Sequence, residues 1–275
     1  VVCPINLTDS HVQIADVQPI EGQRIVIPPS KSITNRGIHL AALSEGTSLI
    51  KNPLMCDDTE AMIEIWKDLG ATIKNTNRGL EIIGTKGRLH LKREELYTRD
   101  AGTVARFVGA SLLLSQVPIK LVGSPQMSQR PMRDLFIVLE DLGAQIQYLQ
   151  ESNKLPAIIT GNTQHITKKK IKVACQRSSQ FLSALLMVAP LRKQSLEVQL
   201  MGDQVSKPYV EMTLRLMSHF GVNVEPDGVD QFLIEGKRSY KAQSLKVEGD
   251  YSTASFFMGL AAIHGRCLEL QDLPA

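Results

Sequence analysis

Cysteines, aromatic residues and long apolar runs are scarce in this sequence, and each scarcity excludes a class of protein. The four cysteines are scattered without a CxxC pair, which predicts reduced thiols and a cytoplasmic location. No histidine has the spacing of a metal ligand, so we expect no metal site. No apolar run reaches the ~18–20 residues of a membrane span, and the first residues lack the pattern of a secretory signal.

An excess of charge of one sign is also missing. The chain has 31 Lys and Arg against 28 Asp and Glu, a formal net charge of +3. This weak excess suits small anionic substrates, and no aromatic residues interleave with the basic ones as in nucleic-acid binding. The densest run, Lys168 to Lys170, precedes an alternating segment and is interpreted as the solvated start of an edge strand.

The sequence does contain an internal repeat. Three amphipathic helices are predicted from apolar residues near i, i+3, i+4 and i+7. Each ends in a glycine, which adopts a left-handed C-cap at the lowest cost, and then enters a strand; the glycines are Gly70, Gly143 and Gly221. A second set of helices opens with small polar residues and continues with Ala, Leu and Ser, which predicts burial. These helices open at Lys31, Asp100, Ser178 and Asp250.

Taken together, one unit consists of a strand, a buried helix, a strand, an exposed helix and two further strands. The units are predicted over 24–84, 88–160 and 170–236, and a fourth begins near Ser244. The period exceeds the ~20–50 residues of common solenoids, so we predict a compact α/β protein with sheets outside and buried helices inside. Because the fourth unit stops at Ala275, we expect the chain to be cut inside a repeat.

The polar helix starts predict more than capping. Capping by Ser, Thr or Asp is the ordinary interpretation. However, a cation in the first turn opposes the helix dipole, so Lys31 is favourable only beside an anion. Free helix N–H groups, hydroxyls and a positive charge together form a phosphate or carboxylate site, and Gly102 allows a ligand close to the backbone. We interpret Lys31 as preceding its helix and Arg36 as lying one turn inside.

Two loops share a further pattern. Arg130 precedes Pro131, and Ser206 and Tyr209 lie on either side of Pro208. Proline is favoured at the first helical position, so both loops place polar side chains beside an exposed helix start. The recurrence in two units favours a role in anion binding.

Six blocks of the sequence, in this order and near this spacing, resemble the enolpyruvyl transferases, in the branch that acts on shikimate 3-phosphate. The blocks are PPSKSITNR, DAGTVARF, SPQMSQRP, SSQFLSALLMVAP, GDQVSKPYVEMT and EGDYSTASFF. The resemblance covers nearly the whole chain after about residue 15. It implies an inside-out α/β barrel built from repeated βαβαββ units. Residues 26–247 would form one complete domain of three units, and 1–25 and 248–275 would be parts of a second, mostly missing domain.

The resemblance also implies a reaction. The enolpyruvyl group of phosphoenolpyruvate is transferred to the 5-hydroxyl of shikimate 3-phosphate with release of phosphate, in the shikimate pathway to chorismate and aromatic amino acids. It implies no metal and no organic cofactor, and a monomer that binds the two small anions but neither nucleic acid nor membranes. The family's catalytic base and further cations would lie beyond Ala275, so we expect the chain alone to be inactive.

The family's roles fall on matching positions of this sequence. Lys31 is expected to contact both substrates and is the candidate proton donor. The residues expected to bind shikimate 3-phosphate are Lys31, Ser32, Arg36, Ser178, Ser179, Gln180, Ser206 and Tyr209. The residues expected to bind phosphoenolpyruvate are Lys31, Gly102, Arg130 and Gln180.

Two positions depart from the family. Asp100 replaces the usual Asn, and because its charge would repel an anionic substrate, it is tolerable if its side chain turns inward to cap the helix instead; its role is left open. Phe107 replaces the Pro of some members, and the role of Asp250 is left open.

Two alternative functions stay open. One is that of the related transferase that acts on UDP-N-acetylglucosamine, which usually has Lys-Asn where this chain has Lys31-Ser32. The other is a non-catalytic anion-binding domain on the same scaffold.

Overall fold

The structure is a computed structural model that describes residues 5–8, 11–14, 24–161, 168–228, 230–265 and 267–273. Cys3, Ala275 and most of the predicted segment 1–25 lie outside these ranges. By backbone contacts the chain divides into two compact units, Pro29–Val247 and Val1–Pro28 with Glu248–Ala275. No helix among the described residues is long and apolar enough to cross a membrane.

The helices and strands alternate along the chain. In order they are β1 (Ile5–Thr8), β2 (His11–Ile14), β3 (Arg24–Val26), α1 (Lys31–Leu43), β4 (Thr47–Lys51), α2 (Asp57–Asp68), β5 (Thr72–Thr76), β6 (Gly79–Ile83), β7 (Glu95–Tyr97), α3 (Gly102–Ser111), β8 (Ile119–Val122), α4 (Pro125–Ser128), α5 (Arg133–Asp141), β9 (Gln145–Tyr148), β10 (Ala157–Thr160), β11 (Lys170–Ala174), α6 (Ser179–Val188), β12 (Leu196–Met201), α7 (Lys207–His219), β13 (Gln231–Ile234), β14 (Ser244–Lys246), α8 (Tyr251–His264) and β15 (Glu269–Gln271). Single 3-10 turns follow α3 and α6, at Leu112–Leu114 and Ala189–Leu191.

The larger unit contains three small sheets of similar design. Their strand orders are β14-β4-β6-β5, β7-β8-β10-β9 and β11-β12-β13. In each sheet the first two strands are parallel and the remaining neighbours are antiparallel. The repeat predicted from the sequence is therefore present as three sheets, each associated with one polar-started helix and one amphipathic helix.

The boundaries of the repeat differ from the prediction. The strand near Ser244, predicted to open a fourth unit, is β14 and completes the first sheet by pairing with β4 from Ser244↔Leu49 to Lys246↔Lys51. The strand predicted to open the first unit is β3, which pairs with β15 in the smaller unit. A short apolar strand does not specify its partner by its own pattern. Of the two strands predicted after α7, β13 forms, together with one bridge between Pro226 and Phe232.

The glycine ends of the amphipathic helices are confirmed. The φ angles of Gly70, Gly143 and Gly221 are +105°, +91° and +86°. A side chain at these angles is strained, and each glycine directly follows the C-cap residue of α2, α5 or α7. The helix therefore stops at a fixed residue in each unit, and the following segment turns back toward the sheet.

Burial of the polar-started helices is confirmed for three of them and is wrong for the fourth. All residues of α1 from Ile33 to Leu43 are buried, and α3 and α6 are buried almost throughout. In α8 only Ala254 is buried, while Phe256 and Ile263 are 78% and 82% exposed. An apolar helix predicts burial only where other segments cover it, and the described residues of the smaller unit do not cover α8.

A polar trio links three helices inside this core. The Trp66 indole Nε1 donates to His39 Nδ1 at 3.3 Å, and His39 Nε2 lies 3.3 Å from the Ser111 hydroxyl. Because Nδ1 accepts, a neutral ring carries its proton on Nε2 and donates it to Ser111. Burial, and to a smaller extent the nearby charge of Arg36, lower the pKa of His39 to about 3. His39 is therefore a neutral hydrogen-bonding residue of the core.

Candidate functional site

The first part of the candidate site is the start of α1. Ser30 is the N-cap, and its hydroxyl accepts from the Ile33 amide at 3.5 Å. Lys31 is therefore the first residue of the helix, and the prediction that it precedes the helix is wrong, because the cap falls one residue earlier. Its ammonium lies 3.0 Å from the carboxylate of Asp58 on α2. Asp58 thus supplies the anion that a cation at a helix start requires.

The charge environment of Lys31 keeps it protonated. The hydrogen bond with Asp58 raises the pKa of Lys31, partial burial opposes this rise, and Arg130 also lowers the pKa. The side chain of Lys31 is about half exposed, at 49%. Lys31 therefore presents a charged, accessible donor close to a second cation.

The start of α3 lies beneath two guanidinium groups. A Cβ atom built on Gly102 would lie 2.6 Å from Arg130 Nη1 and 2.8 Å from Arg106 Nη1. No real Cβ tolerates such contacts, so Gly102 is what allows both groups to lie over the first turn. Arg130 Nη1 also donates to the Asp100 carbonyl at 3.3 Å. Burial, and to a smaller extent the charge of Arg130, lower the pKa of Arg106 to about 10.

The start of α6 completes this cluster. Gln180 accepts a hydrogen bond from Arg106 through its side-chain oxygen and donates to the Thr103 hydroxyl at 3.3 Å. The amide therefore joins α3 to α6 and holds the buried guanidinium in place. In the part of the chain that the structure covers, Arg106 Nε has no hydrogen-bond partner. The structure thus brings together the residues predicted to bind phosphoenolpyruvate, which are Lys31, Gly102, Arg130 and Gln180.

Arg36 lies beneath the surface rather than beside Lys31. It is 2% exposed, and each of its nitrogens has an acceptor. Nε donates to Thr213 Oγ1 at 2.7 Å, Nη1 to the Ser32 carbonyl at 3.1 Å, and Nη2 to the Tyr209 carbonyl at 3.4 Å. Burial lowers its pKa to about 10, against a smaller opposing effect of Tyr209. Arg36 therefore ties α1 to α7 inside the larger unit.

The predicted shikimate 3-phosphate residues on α6 and α7 are more dispersed. The Ser178 hydroxyl accepts from the Gln180 amide at 3.2 Å and so acts as an N-cap, while Ser179 is buried. Ser206 is exposed at the start of α7, with a φ of +55° and no capping bond from its side chain. The Tyr209 ring centre lies 5.9 Å from the Arg36 guanidinium carbon. Of these residues Tyr209 contacts Arg36, and among the described residues no hydrogen bond or ion pair joins any of them to Lys31.

The local geometry of Asp100, Phe107 and Asp250, whose roles the sequence leaves open, is as follows. Asp100 does not cap α3: Ala101 is the N-cap without a side-chain bond, and the Asp100 carboxylate accepts from the Ser124 hydroxyl. Asp100 lies one residue too early to reach the free amides of α3. Phe107 is fully buried, 5.1 Å from the Arg36 guanidinium carbon. In the smaller unit, Asp250 caps α8 and accepts from the Ser252 amide at 2.7 Å.

Sequence reasoning missed Arg106, Asp58 and Thr103. Arg106 stands four residues after Gly102, and side chains at this spacing share one face of a helix, so the signal was available. Nothing in the sequence brings Asp58 to Lys31, because the pairing depends on how α2 packs against α1.

Among the described residues, no group of three or more His, Cys, Asp or Glu side chains is arranged to hold a metal ion. Cys56, Cys175 and Cys267 are free thiols.

Comparisons with known proteins identify the family of the chain. A family model described as EPSP synthase (3-phosphoshikimate 1-carboxyvinyltransferase) matches residues 14–275. A 3-phosphoshikimate 1-carboxyvinyltransferase of Shewanella pealeana is 38% identical over 260 residues, covering 93% of this chain and 60% of the relative. One from Escherichia coli is 41% identical over 253 residues, covering 90% and 58%.

The fold agrees as well. The solved EPSP synthase of Acinetobacter baumannii superposes with a TM-score of 0.76 at 27% identity, covering 88% of this chain and 53% of that chain. This likeness confirms the predicted fold class. The chain spans about three fifths of the length of the curated relatives it matches. From the match over residues 14–275 and the identity to these relatives, the chain belongs to the EPSP synthase family.

Proposed function

We propose that the protein containing this chain transfers the enolpyruvyl group of phosphoenolpyruvate to the 5-hydroxyl of shikimate 3-phosphate and releases phosphate. The observation that carries the proposal is the convergence of Lys31, Arg106 and Arg130 at the starts of two buried helices, beside Gln180 at the start of a third. The relatives bear the name of this reaction, 3-phosphoshikimate 1-carboxyvinyltransferase.

The chemistry of the reaction suits this cluster. Both substrates are anions, and charge moves onto the phosphate as it leaves. Guanidinium groups bind carboxylates and phosphates through forked pairs of hydrogen bonds, and fixed cations stabilise charge that develops in a transition state. Arg130, which is exposed and lies over Gly102, is placed to hold phosphoenolpyruvate, with Gln180 beside it.

Lys31 is proposed as the proton donor to the enol carbon. Its raised pKa keeps the ammonium protonated beside Asp58, so the proton is in place when the substrates bind. An incoming phosphate or carboxylate would weaken the pair with Asp58 and draw the ammonium toward the reacting carbon. The proposed role thus depends on an exchange of one anionic partner for another.

We propose that shikimate 3-phosphate binds along the starts of α1, α6 and α7. The support is that Arg36 and Tyr209 already contact each other and that the exposed Ser206 hydroxyl is not used as a cap. The residues proposed for this role are Lys31, Ser32, Arg36, Ser178, Ser179, Gln180, Ser206 and Tyr209. Because Arg36 has acceptors for all its nitrogens, its proposed part is to fix Tyr209 and to add positive potential from below.

The proposal includes a domain organisation. Residues 26–247 would form one domain, and 1–25 and 248–275 would belong to a second domain whose remainder covers the apolar surface of α8, where Phe256 is 78% exposed. The family's base would lie in that remainder. The protein would be a cytoplasmic monomer that binds neither nucleic acid nor a membrane. It would bind two small anions, as the weak positive charge of +3 favours.

Phosphate release from phosphoenolpyruvate and shikimate 3-phosphate tests the proposal. The full-length protein should release phosphate only when both substrates are present. The 275-residue chain should bind shikimate 3-phosphate weakly in calorimetry and release no phosphate. A full-length protein without activity would contradict the proposed reaction, whereas turnover by the chain alone would contradict only the proposed domain organisation.

A further inference from the structure

A second cluster of cations surrounds a cavity at the opposite ends of α3 and α6. The cavity has a volume of about 460 Å³ and is formed by the loop after β6 and by the segments that follow the two helices. Its basic lining residues are Lys86, Arg88, Arg192 and Lys193, and no Asp or Glu is among the described residues that line it. The cavity lies wholly within the larger unit and shares no residue with the candidate site.

Arg192 is the unusual member of this cluster. Its side chain is buried, with the residue 4% exposed, yet Nε, Nη1 and Nη2 all lack a hydrogen-bond partner within the described ranges. Arg36, which is buried to a similar degree, has an acceptor for each of the same three atoms. A buried charge without a partner is strongly unfavourable, so an anion from outside this part of the chain would stabilise the Arg192 guanidinium.

The end of α6 does not supply acceptors either. Helix ends normally offer free carbonyl groups to nearby cations. Here the Ala189 carbonyl accepts from the Arg192 amide at 3.2 Å, and the Pro190 carbonyl accepts from the Arg238 amide at 2.9 Å. The Arg192 carbonyl itself accepts from the Lys237 amide at 2.6 Å. These bonds fix the backbone of Arg192, and each gives one of these three carbonyls an amide partner.

The remaining lining gives the cavity a mixed character. Lys86 is paired with Glu45 at 2.6 Å on the outer side. Leu113 and Leu191 contribute apolar surface, and a Cβ atom on Gly87 would lie 3.3 Å from Leu191 Cδ1, so this loop packs closely against the end of α6. The volume falls within the ~300–1,000 Å³ of small-molecule sites and exceeds what a single oxyanion needs.

We propose that this cavity binds a small organic anion, whose carboxylate or phosphate pairs with Arg192 and whose apolar part contacts Leu113 and Leu191. Arg88 and Lys193 add positive charge at the entrance. This site is separate from the proposed reaction and does not depend on it.

Calorimetric titration with inorganic phosphate tests the pairing with Arg192. The titration uses the 275-residue chain carrying Lys31→Gln and Arg130→Gln, so that phosphate does not bind at the candidate site, at an ionic strength held constant with chloride. We expect saturable binding that Arg192→Met weakens at least about tenfold, a loss of about 1.4 kcal/mol. Absence of saturable binding, or equal binding by the Arg192→Met variant, would overturn the proposal.

If Arg192→Met does not fold, a variant at Arg88 tests whether phosphate binds at this cavity. Arg88 is exposed at the cavity, and Lys74 is exposed on β5 and does not line it. Arg88→Gln and Lys74→Gln remove the same charge in the same background. Arg88→Gln should weaken phosphate binding clearly more than Lys74→Gln, and equal affinities of these two variants would then overturn the proposal.

Phenyl phosphate tests the organic part of the ligand. Because its ring can contact Leu113 and Leu191, it should bind the same background more tightly than inorganic phosphate and compete with it for one site. Benzoate distinguishes a carboxylate from a phosphate as the preferred oxyanion by its affinity relative to phenyl phosphate. An affinity for phenyl phosphate no higher than for inorganic phosphate would overturn the claim of an organic ligand.

Discussion

The two ends of the buried helices are both rich in cations but differ in how these cations are paired. At the starts of α1, α3 and α6, Lys31 has Asp58 and Arg106 has Gln180. Just below them, Arg36 has acceptors for all its nitrogens. At the far ends of α3 and α6, Arg192 has none among the described residues. The comparison teaches that burial alone does not define a site. The buried Arg36 is fully hydrogen-bonded and joins parts of the fold, whereas the buried Arg192 has nitrogen atoms that are unpaired within the part of the chain that the structure describes.

Removing the cations at the helix starts should produce the largest effect. Lys31→Ala and Arg130→Ala should each lower kcat of the full-length protein by roughly 10²–10³-fold, because loss of one fixed donor to a developing charge costs about 3–4 kcal/mol. Steady-state phosphate release measures this. Lys74→Ala, which removes an exposed charge on β5, serves as the control, and rates near the unchanged level for Lys31→Ala or Arg130→Ala would argue against the site.

Replacing Arg36 should destabilise the fold. Arg36→Met removes the hydrogen bonds of the guanidinium to Thr213, Ser32 and Tyr209, and a hydrogen bond to a charged group contributes about 1.5–3 kcal/mol. We expect the free energy of unfolding to fall by about 2–4 kcal/mol in urea denaturation. An unchanged midpoint and slope would mean that these bonds contribute little, and would remove the contrast with Arg192.

The same substitution at the other end should have the opposite sign. Arg192→Met removes a buried charge without a partner, and apolar replacement of such groups is often stabilising. In a buffer free of phosphate and carboxylates, we expect the free energy of unfolding to rise by about 1–2 kcal/mol. Loss of stability on the same scale as for Arg36→Met would indicate that Arg192 has partners, and would contradict the difference in pairing between the two arginines.

A third buried group, His39 in the middle of α1, should make the free energy of unfolding depend on pH. Its pKa is lowered to about 3 in the folded protein, whereas an unfolded chain takes up this proton near pH 6.5. Between these values the unfolded state binds more protons, so stability falls as pH falls from 6.5 toward 3, by up to about 1.4 kcal/mol per pH unit. Urea denaturation at several pH values should show a shallower slope for His39→Gln, and identical slopes would contradict this assignment.

The features visible in the sequence are those that depend on neighbouring residues. Gly70, Gly143 and Gly221 follow the C-caps of helices because the left-handed conformation is a local requirement. The start of α1 was located to within one residue, since Ser30 rather than the following residues supplies the cap. Lys31 was singled out for its unfavourable place at a helix start, which is again a local argument.

The features that the sequence does not reveal depend on distant segments. The partner of Lys31 is Asp58, 27 positions away in the sequence, and its arrival depends on the packing of α2 against α1. The first sheet takes β14 rather than β3, although both are strands of only three residues. The exposure of α8 depends on what covers it, and the missing partner of Arg192 is a property of three loops together.

The hydrogen bond between Trp66 and His39 gives the protein an optical reporter of its own. Trp66 is the single tryptophan of the sequence and is completely buried. Its emission therefore comes from one defined place, the junction of α1, α2 and α3, and no label has to be introduced. Acid, denaturant or a substitution at Arg36 that loosens this junction should therefore shift the wavelength of maximum Trp66 fluorescence.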